Sequence, residues 1–164
     1  ETSDGQHPFA VILSCIDSRT SAEIIFDQGL GDIFSIRIAG NIINEDILGS
    51  MEFACKIAGS KIIVVLGHSH CGAIKGACDQ AEMGNLTQLL AKIQPAIDAE
   101  KTVIDERNSS NTEFVDKVTE ININCMIKKI TQDSAILSEM VDQKELQIIG
   151  GMHNLQTGQV IFDL

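Results

Sequence analysis

Two short clusters of residues combine metal-binding side chains with a charged pair. The first is Cys15-Ile-Asp17-Ser-Arg19, and the second is His68-Ser-His-Cys71. If the two clusters meet in the fold, Cys15, His68 and Cys71 supply two thiolates and one imidazole, a donor set that suits tetrahedral Zn²⁺. Three protein ligands leave a fourth position for water, and a bound zinc lowers the pKa of that water to about 7. The pattern therefore predicts a catalytic zinc site.

The charged pair of the first cluster has two interpretations. Asp17 and Arg19 lie two residues apart, so an extended backbone would place them on the same side, where they could pair. One interpretation is a simple ion pair that holds the loop. The other is that Arg19 keeps Asp17 ionised, so that the carboxylate accepts a hydrogen bond from metal-bound hydroxide and orients it. Released from Arg19, the same carboxylate could instead bind zinc as a fourth ligand and close the site.

The other cysteines and histidines fit simpler roles. Three cysteines fall in helical patterns, where cysteine behaves as a small apolar side chain: Cys55, Cys78 and Cys125. His70 directly precedes Cys71 and has difficulty pointing at the same metal ion. We expect His7 and His153 to be surface or turn histidines, with a role in proton transfer as the alternative.

Both clusters follow apolar runs at the position where open α/β sheets bind their ligands. Residues 9–16 and 61–66 have the length and composition of strands buried on both faces. Further strands fit residues 34–38, 145–150 and 159–162. Together with the helices between them, these runs predict an α/β fold. Its mostly parallel β-sheet would have about five strands, the last one at the edge, and would be flanked by helices.

Apolar residues at helical spacing predict the connecting helices. A short helix follows Ser21, a longer one ends at Gly59, and a third begins at Gly72. The same spacing continues through most of residues 85–138, which carry no obvious chemistry.

Length, charge and cysteine content narrow the class of protein. A chain of 164 residues is typical of one domain, so residues 1–164 are predicted to form a single zinc-binding domain. An alternative is that this domain was excised from a longer chain. The net charge of −11 disfavours binding to nucleic acids and to anionic membrane surfaces. No apolar run reaches the roughly 18 to 20 residues that a membrane span needs. Five cysteines, an odd number in a chain of this size, favour the reducing cytoplasm.

In these residues the sequence resembles the β-class carbonic anhydrases. The matching segments run in family order along nearly the whole chain: Gly5-Gln6-His-Pro8, Cys15-Ile-Asp17-Ser-Arg19, Arg37-Ile-Ala-Gly-Asn41, Gly67-His68-Ser-His-Cys71-Gly72 and the stretch from Gly150 to Val160. The resemblance implies one zinc ion per chain, bound by Cys15, His68 and Cys71, with Asp17 and Arg19 as the catalytic dyad. It also implies reversible hydration of CO₂ to bicarbonate and a proton by a homodimer or a dimer of dimers.

The resemblance further implies a substrate pocket. Gln6 matches a glutamine that contacts substrate, and Phe34 matches an apolar wall of the CO₂ pocket. The backbone amide of Gly72, at a helix start, would suit a developing anion. Ala39 and Phe53 stand where plant-type members of the family carry a valine and often a tyrosine, which predicts a wider and less polar pocket.

Two other functions fit the same residues. One is hydrolysis of carbonyl sulfide or carbon disulfide on the same fold and zinc. The other is a non-catalytic zinc-binding module for assembly or bicarbonate sensing, in which Asp17 closes the metal site. Similar domains also occur as soluble tails of bacterial sulfate-transporter-type membrane proteins, so an excised domain of such a protein is one alternative origin of this chain.

Overall fold

A five-stranded sheet forms the centre of the protein in the computed structural model, which describes residues 2–162. The strands are β1 (Ala10–Ser14), β2 (Ile33–Arg37), β3 (Ile62–His68), β4 (Gln147–His153) and β5 (Val160–Phe162). Their spatial order is β2-β1-β3-β4-β5, and all neighbours are parallel except β5, which runs antiparallel to β4. The predicted mostly parallel sheet with its last strand at the edge is confirmed.

The helices connect and cover these strands. They are α1 (Ala22–Ile25), α2 (Glu45–Glu52), α3 (Gly72–Cys78), α4 (Gly84–Ala91), α5 (Gln94–Ala99), α6 (Thr112–Asp133) and α7 (Ala135–Asp142). The helix predicted to end at Gly59 begins where Asn44 accepts a hydrogen bond from the Ile47 amide, but its second half, Phe53–Ile57, is π-helical. Within residues 2–162, no helix combines the length and the apolar character needed to cross a membrane.

The two faces of the sheet are covered unequally. Alternate residues of a strand point to opposite faces, so β1 and β3 divide their apolar side chains between two cores. The larger core contains Val11, Leu13, Ile63 and Val65 together with apolar residues of α2, α3, α6 and α7. The smaller core contains Ala10, Ile12, Val64 and Leu66 with Ala22 of α1. Strands β1 and β3 are therefore buried on both faces, as their continuous apolar runs predict.

Two glycines let α6 lie directly on β3 and β4. A Cβ atom on Gly67 would lie 2.6 Å from Cδ1 of Ile123, and one on Gly150 would lie 2.8 Å from Cγ2 of the same residue. Ile123 is fully buried in α6, so these positions have no room for a side chain. Because Gly67 directly precedes His68, this contact also fixes the end of β3 that carries the candidate site.

Candidate metal centre

The carboxyl ends of β1 and β3 bring the two predicted clusters together. Cys15 directly follows β1, His68 is the last residue of β3, and Cys71 lies just before α3. The two sulfur atoms are 3.9 Å apart, and the ligand atoms of all three residues lie within 4.8 Å of one another. All three side chains are buried. The structure thus brings together the donors that the sequence singled out for zinc.

The imidazole of His68 is held in the orientation that a metal ligand needs. Its Nδ1 lies 2.9 Å from the carbonyl oxygen of Ser69, which can only accept, so Nδ1 carries the hydrogen and donates it. Its Nε2 is buried and has no hydrogen-bond partner among residues 2–162. A buried polar atom that has no hydrogen-bond partner lowers the stability of the folded protein by about 1 to 3 kcal/mol. An unpartnered imidazole nitrogen that faces two sulfurs fits a zinc ion.

The two thiols share a proton in the absence of metal. A hydrogen bond from Cys71 lowers the pKa of Cys15, and although burial opposes this, a hydrogen bond from the Gly40 amide lowers the pKa further. The Gly40 nitrogen lies 3.4 Å from Cys15 Sγ. The same hydrogen bond to Cys15, followed by burial, raises the pKa of Cys71. Cys15 is therefore the thiolate and Cys71 the proton donor, until a metal ion displaces that proton.

Asp17 lies beside this group with both carboxylate oxygens engaged. Arg19 donates to Oδ1 through Nε at 2.9 Å and to Oδ2 through Nη2 at 2.7 Å, and its backbone nitrogen also donates to Oδ1 at 3.0 Å. The guanidinium of Arg19 is the main reason why the pKa of Asp17 lies well below its usual range. Oδ2 is 3.9 Å from His68 Nε2. This geometry favours an ionised carboxylate beside the metal position over a fourth ligand.

Arg37 holds the loop that carries Cys15 and Asp17. Its Nε donates to the Cys15 carbonyl at 3.0 Å and its Nη2 donates to the Asp17 carbonyl at 2.6 Å. The sequence marks Arg37 only as part of a segment that matches the family, and this contact was not predicted. The available signal was its position at the end of β2, where it pairs in register with Ser14 of β1, directly before Cys15.

His153 is a buried histidine of the sheet, so its assignment to the surface or a turn was wrong. Strand β4 continues three residues beyond its predicted end and pairs His153 in register with His68. The His153 carbonyl accepts a hydrogen bond from the Ser69 amide at 2.9 Å. Burial, followed by the nearby His68, lowers the pKa of His153, so its ring is neutral near pH 7.

The residues predicted to contact substrate are not gathered in one pocket in the part of the chain that the structure describes. Phe34 and Phe53 meet edge to face with ring centroids 6.4 Å apart, and both line a cavity of about 510 Å³. The described metal ligands do not line that cavity. Ala39 opens the turn that contains Gly40, and Gly72 is exposed at the start of α3. Gln6 is exposed before β1 and, within residues 2–162, makes no hydrogen bond to the three ligands.

Comparison with known proteins places this geometry in a family. The chain matches the family model described as carbonic anhydrase over residues 10–160. Carbonic anhydrase 2 of Mycobacterium tuberculosis is 34% identical over 162 residues, which cover 96% of this chain and 75% of that protein. The solved structure of the β-carbonic anhydrase CcaA superposes with a TM-score of 0.86 at 26% identity, covering 98% of this chain and 81% of that one. The chain belongs to the β-carbonic anhydrase family.

One further member of the β-carbonic anhydrase family bears on assembly. Two β-carbonic anhydrases of Sordaria macrospora are described as tetrameric, and a solved structure from that work superposes with a TM-score of 0.84 at 25% identity. The match covers 97% of this chain and 82% of the other.

Proposed function

We propose that this β-carbonic anhydrase family member catalyses the zinc-dependent, reversible hydration of CO₂ to bicarbonate and a proton, with Cys15, His68 and Cys71 holding one zinc ion per chain. The observation that carries the proposal is the buried, unpartnered Nε2 of His68 beside two thiols 3.9 Å apart. When bound, zinc supplies a Lewis acid that brings the pKa of a water molecule to about 7.

The chain's own residues would prepare and orient the attacking water. Asp17, kept ionised by Arg19, can only accept a hydrogen bond, so it would take one from the water and aim the oxygen lone pair at substrate. Ser69 keeps His68 in one tautomer through its carbonyl oxygen. Arg37 keeps the loop between Cys15 and Asp17 in place, so that donor and acceptor hold a constant separation.

We assign substrate contacts to the residues around this position. Phe34, Ala39 and Phe53 would supply the apolar wall for CO₂; the two rings share one apolar surface, although the cavity that they line does not include Cys15, His68 or Cys71. Gln6 and the Gly72 amide would meet the substrate oxygens. Open space in front of Gly72, where an added Cβ would have no neighbour within 4 Å, supports the second contact.

Exchanging one cysteine inside the site and one outside it tests the proposal. Cys15→Ser removes a ligand, whereas Cys55→Ser changes a cysteine that is equally buried but lies in the core under α2. We expect about one zinc per chain and fast CO₂ hydration in the wild type and in Cys55→Ser. We expect neither in Cys15→Ser.

Three outcomes would change the assignment. Full hydration activity in zinc-free Cys15→Ser would refute the metal assignment. Zinc without hydration at any pH would instead indicate a site closed by Asp17 and a binding module. Hydrolysis of carbonyl sulfide or carbon disulfide in preference to CO₂ hydration would reassign the substrate.

We also propose that the chain forms a homodimer through β2 and a dimer of dimers through β5. Within residues 2–162, no strand pairs with the outer edge of either one, and such edges bind further strands. Two apolar side chains of the π-helical segment Phe53–Ile57 are exposed, Phe53 by 50% and Ile57 by 74%, and the Phe53 ring contacts Phe34 of β2. Sedimentation velocity should show that Phe53→Glu dissociates the dimer, whereas Ile104→Glu, at a site 84% exposed in the loop before α6, leaves it intact. Equal sedimentation of the two variants would refute this interface.

We place this activity in the cytoplasm because all five cysteines are free. The sulfurs of Cys15 and Cys71 are close enough that an oxidising compartment would favour their oxidation over metal binding.

A further inference from the structure

A buried asparagine of α6 contacts the turn that supports Cys15. Asn122 is fully buried, and its Nδ2 donates a hydrogen bond to the Gly40 carbonyl at 3.0 Å, across 82 positions of the sequence. The Gly40 amide in turn donates to Cys15 Sγ at 3.4 Å. Gly40 therefore links the two side chains: its carbonyl accepts from Asn122, and its amide donates to the sulfur of Cys15.

The Gly40 turn is held in a conformation that few residues adopt. Gly40 has a φ of +67°, in the left-handed region that favours glycine. A Cβ at this position would lie 2.9 Å from Ile93 Cδ1 and 3.3 Å from Ala73 Cβ. Neighbouring side chains therefore confine one side of the turn, and Asn122 holds its carbonyl from α6. Without that donor, the Gly40 carbonyl would lose this hydrogen bond, and α6 would no longer help to hold the turn that aims the Gly40 amide at Cys15.

We propose that Asn122 is a positioning residue for the metal centre: by holding the Gly40 carbonyl, it aims the Gly40 amide at the sulfur of Cys15. Among the described residues, Asn122 makes no hydrogen bond to the three ligand atoms, so it acts through Gly40. An N–H donor on a thiolate offsets part of its negative charge, so it tunes how strongly the sulfur binds a metal. This inference rests on the proposed zinc site.

A purely structural role for Asn122 makes a different prediction. In that case its replacement would lower the stability of the fold, as the loss of any buried side chain does, without a specific effect on the thiolate. Ile130, two turns further along α6, is also fully buried in the larger core, and it is not among the side chains that a Cβ on Gly40 or Gly67 would meet. Ile130→Val is therefore the control for lost packing in α6.

The test compares Asn122→Leu with Ile130→Val in the metal-free and metal-loaded proteins. Leucine has a similar size but no donor. We expect Asn122→Leu to weaken zinc binding about 10-fold to 100-fold, measured by competition with a chelator, which is typical for loss of a group that supports a metal ligand. With Co²⁺ in place of zinc, we expect the thiolate charge-transfer band to shift. Ile130→Val should bind zinc within about twofold of the wild type and leave the band unchanged. Should Asn122→Leu not fold, Asn122→Ser, whose hydroxyl is too short to reach Gly40, has the same expected outcome.

Failure of the inference and failure of the proposed function are distinguishable. A wild-type chain that binds no zinc would contradict the proposed function. A wild type that binds zinc, with Asn122 variants that match its affinity and its Co²⁺ spectrum, would overturn the inference alone. The inference would also be overturned if Ile130→Val weakened zinc binding and shifted the band as much as Asn122→Leu does.

Discussion

Replacing Gly67 by alanine tests whether the close contact between α6 and the end of β3, next to His68, requires glycine at this position. The added Cβ would lie 2.6 Å from Cδ1 and 2.9 Å from Cγ1 of Ile123, and 3.0 Å from Cγ2 of Thr119. Carbon atoms in contact are normally about 3.5 to 4.0 Å apart. The end of the Ile123 side chain can rotate, but Cγ1 sits on a branched Cβ in a helix, where one rotamer dominates. Either α6 or the end of β3 must therefore move.

The size of the effect follows from these contacts. Overpacking a well-packed core costs about 1 to 3 kcal/mol. Alanine has less conformational freedom than glycine in the unfolded chain, which offsets about 0.4 to 1 kcal/mol of that cost. We therefore expect Gly67→Ala to lower the free energy of unfolding by up to about 2.6 kcal/mol, and by about 1.3 kcal/mol at the middle of both ranges. Ile123→Val alone should cost about 0.5 to 1.5 kcal/mol. In the double variant, the methyl group that is lost is the one nearest the new Cβ. The double variant should therefore be about 1 kcal/mol more stable than the sum of the single changes predicts.

Urea unfolding of the metal-free wild type, the two single variants and the double variant measures this coupling. Gly49→Ala is the matched control, because Gly49 lies inside α2 and a Cβ added there would have no neighbouring atom within 4 Å. That change should raise the free energy of unfolding by about 0.5 to 1 kcal/mol. If the Gly67 and Ile123 effects add to within about 0.5 kcal/mol, the close approach of α6 is not what requires glycine at position 67.

Three further predictions concern the site and the acid range. Asp17→Asn should keep the zinc but lower hydration about 10-fold to 100-fold at equal zinc content, and full activity would contradict its orienting role. Burial by itself would raise the pKa of Glu100, but hydrogen bonds from Thr102 and Arg107 outweigh it and lower the pKa from 4.5 to about 2. The stability that Glu100 contributes is therefore present above about pH 4.5 and is lost as the pH falls towards 2. Glu100→Gln should flatten the fall in unfolding free energy over that range, and an unchanged slope would contradict this. Loading the metal-free protein with zinc at about pH 6 should release about one proton, from the thiol of Cys71, and no release would contradict a shared thiol proton.

The strands and the cluster of Cys15, His68 and Cys71 could be predicted because their signals are local. Continuous apolar runs mark β1 and β3, and Cys15 and His68 lie where those runs end. The burial of His153 could not be predicted, because the end of β4 is set by its pairing with β3 and not by its own composition. The hydrogen bond from Asn122 to Gly40 could not be predicted from the sequence either, because it depends on where α6 packs across the sheet. Hydrophobic periodicity places the helix but does not show which polar side chain will find a buried carbonyl.

The proposed zinc-dependent hydration of CO₂ is best tested by stopped-flow measurements on wild-type protein whose zinc per chain has been counted. We expect about one zinc per chain and fast hydration that increases as the pH rises through about 7, where the metal makes a water molecule reactive. Fully zinc-loaded protein that does not hydrate CO₂ between about pH 6.5 and 9 would contradict it.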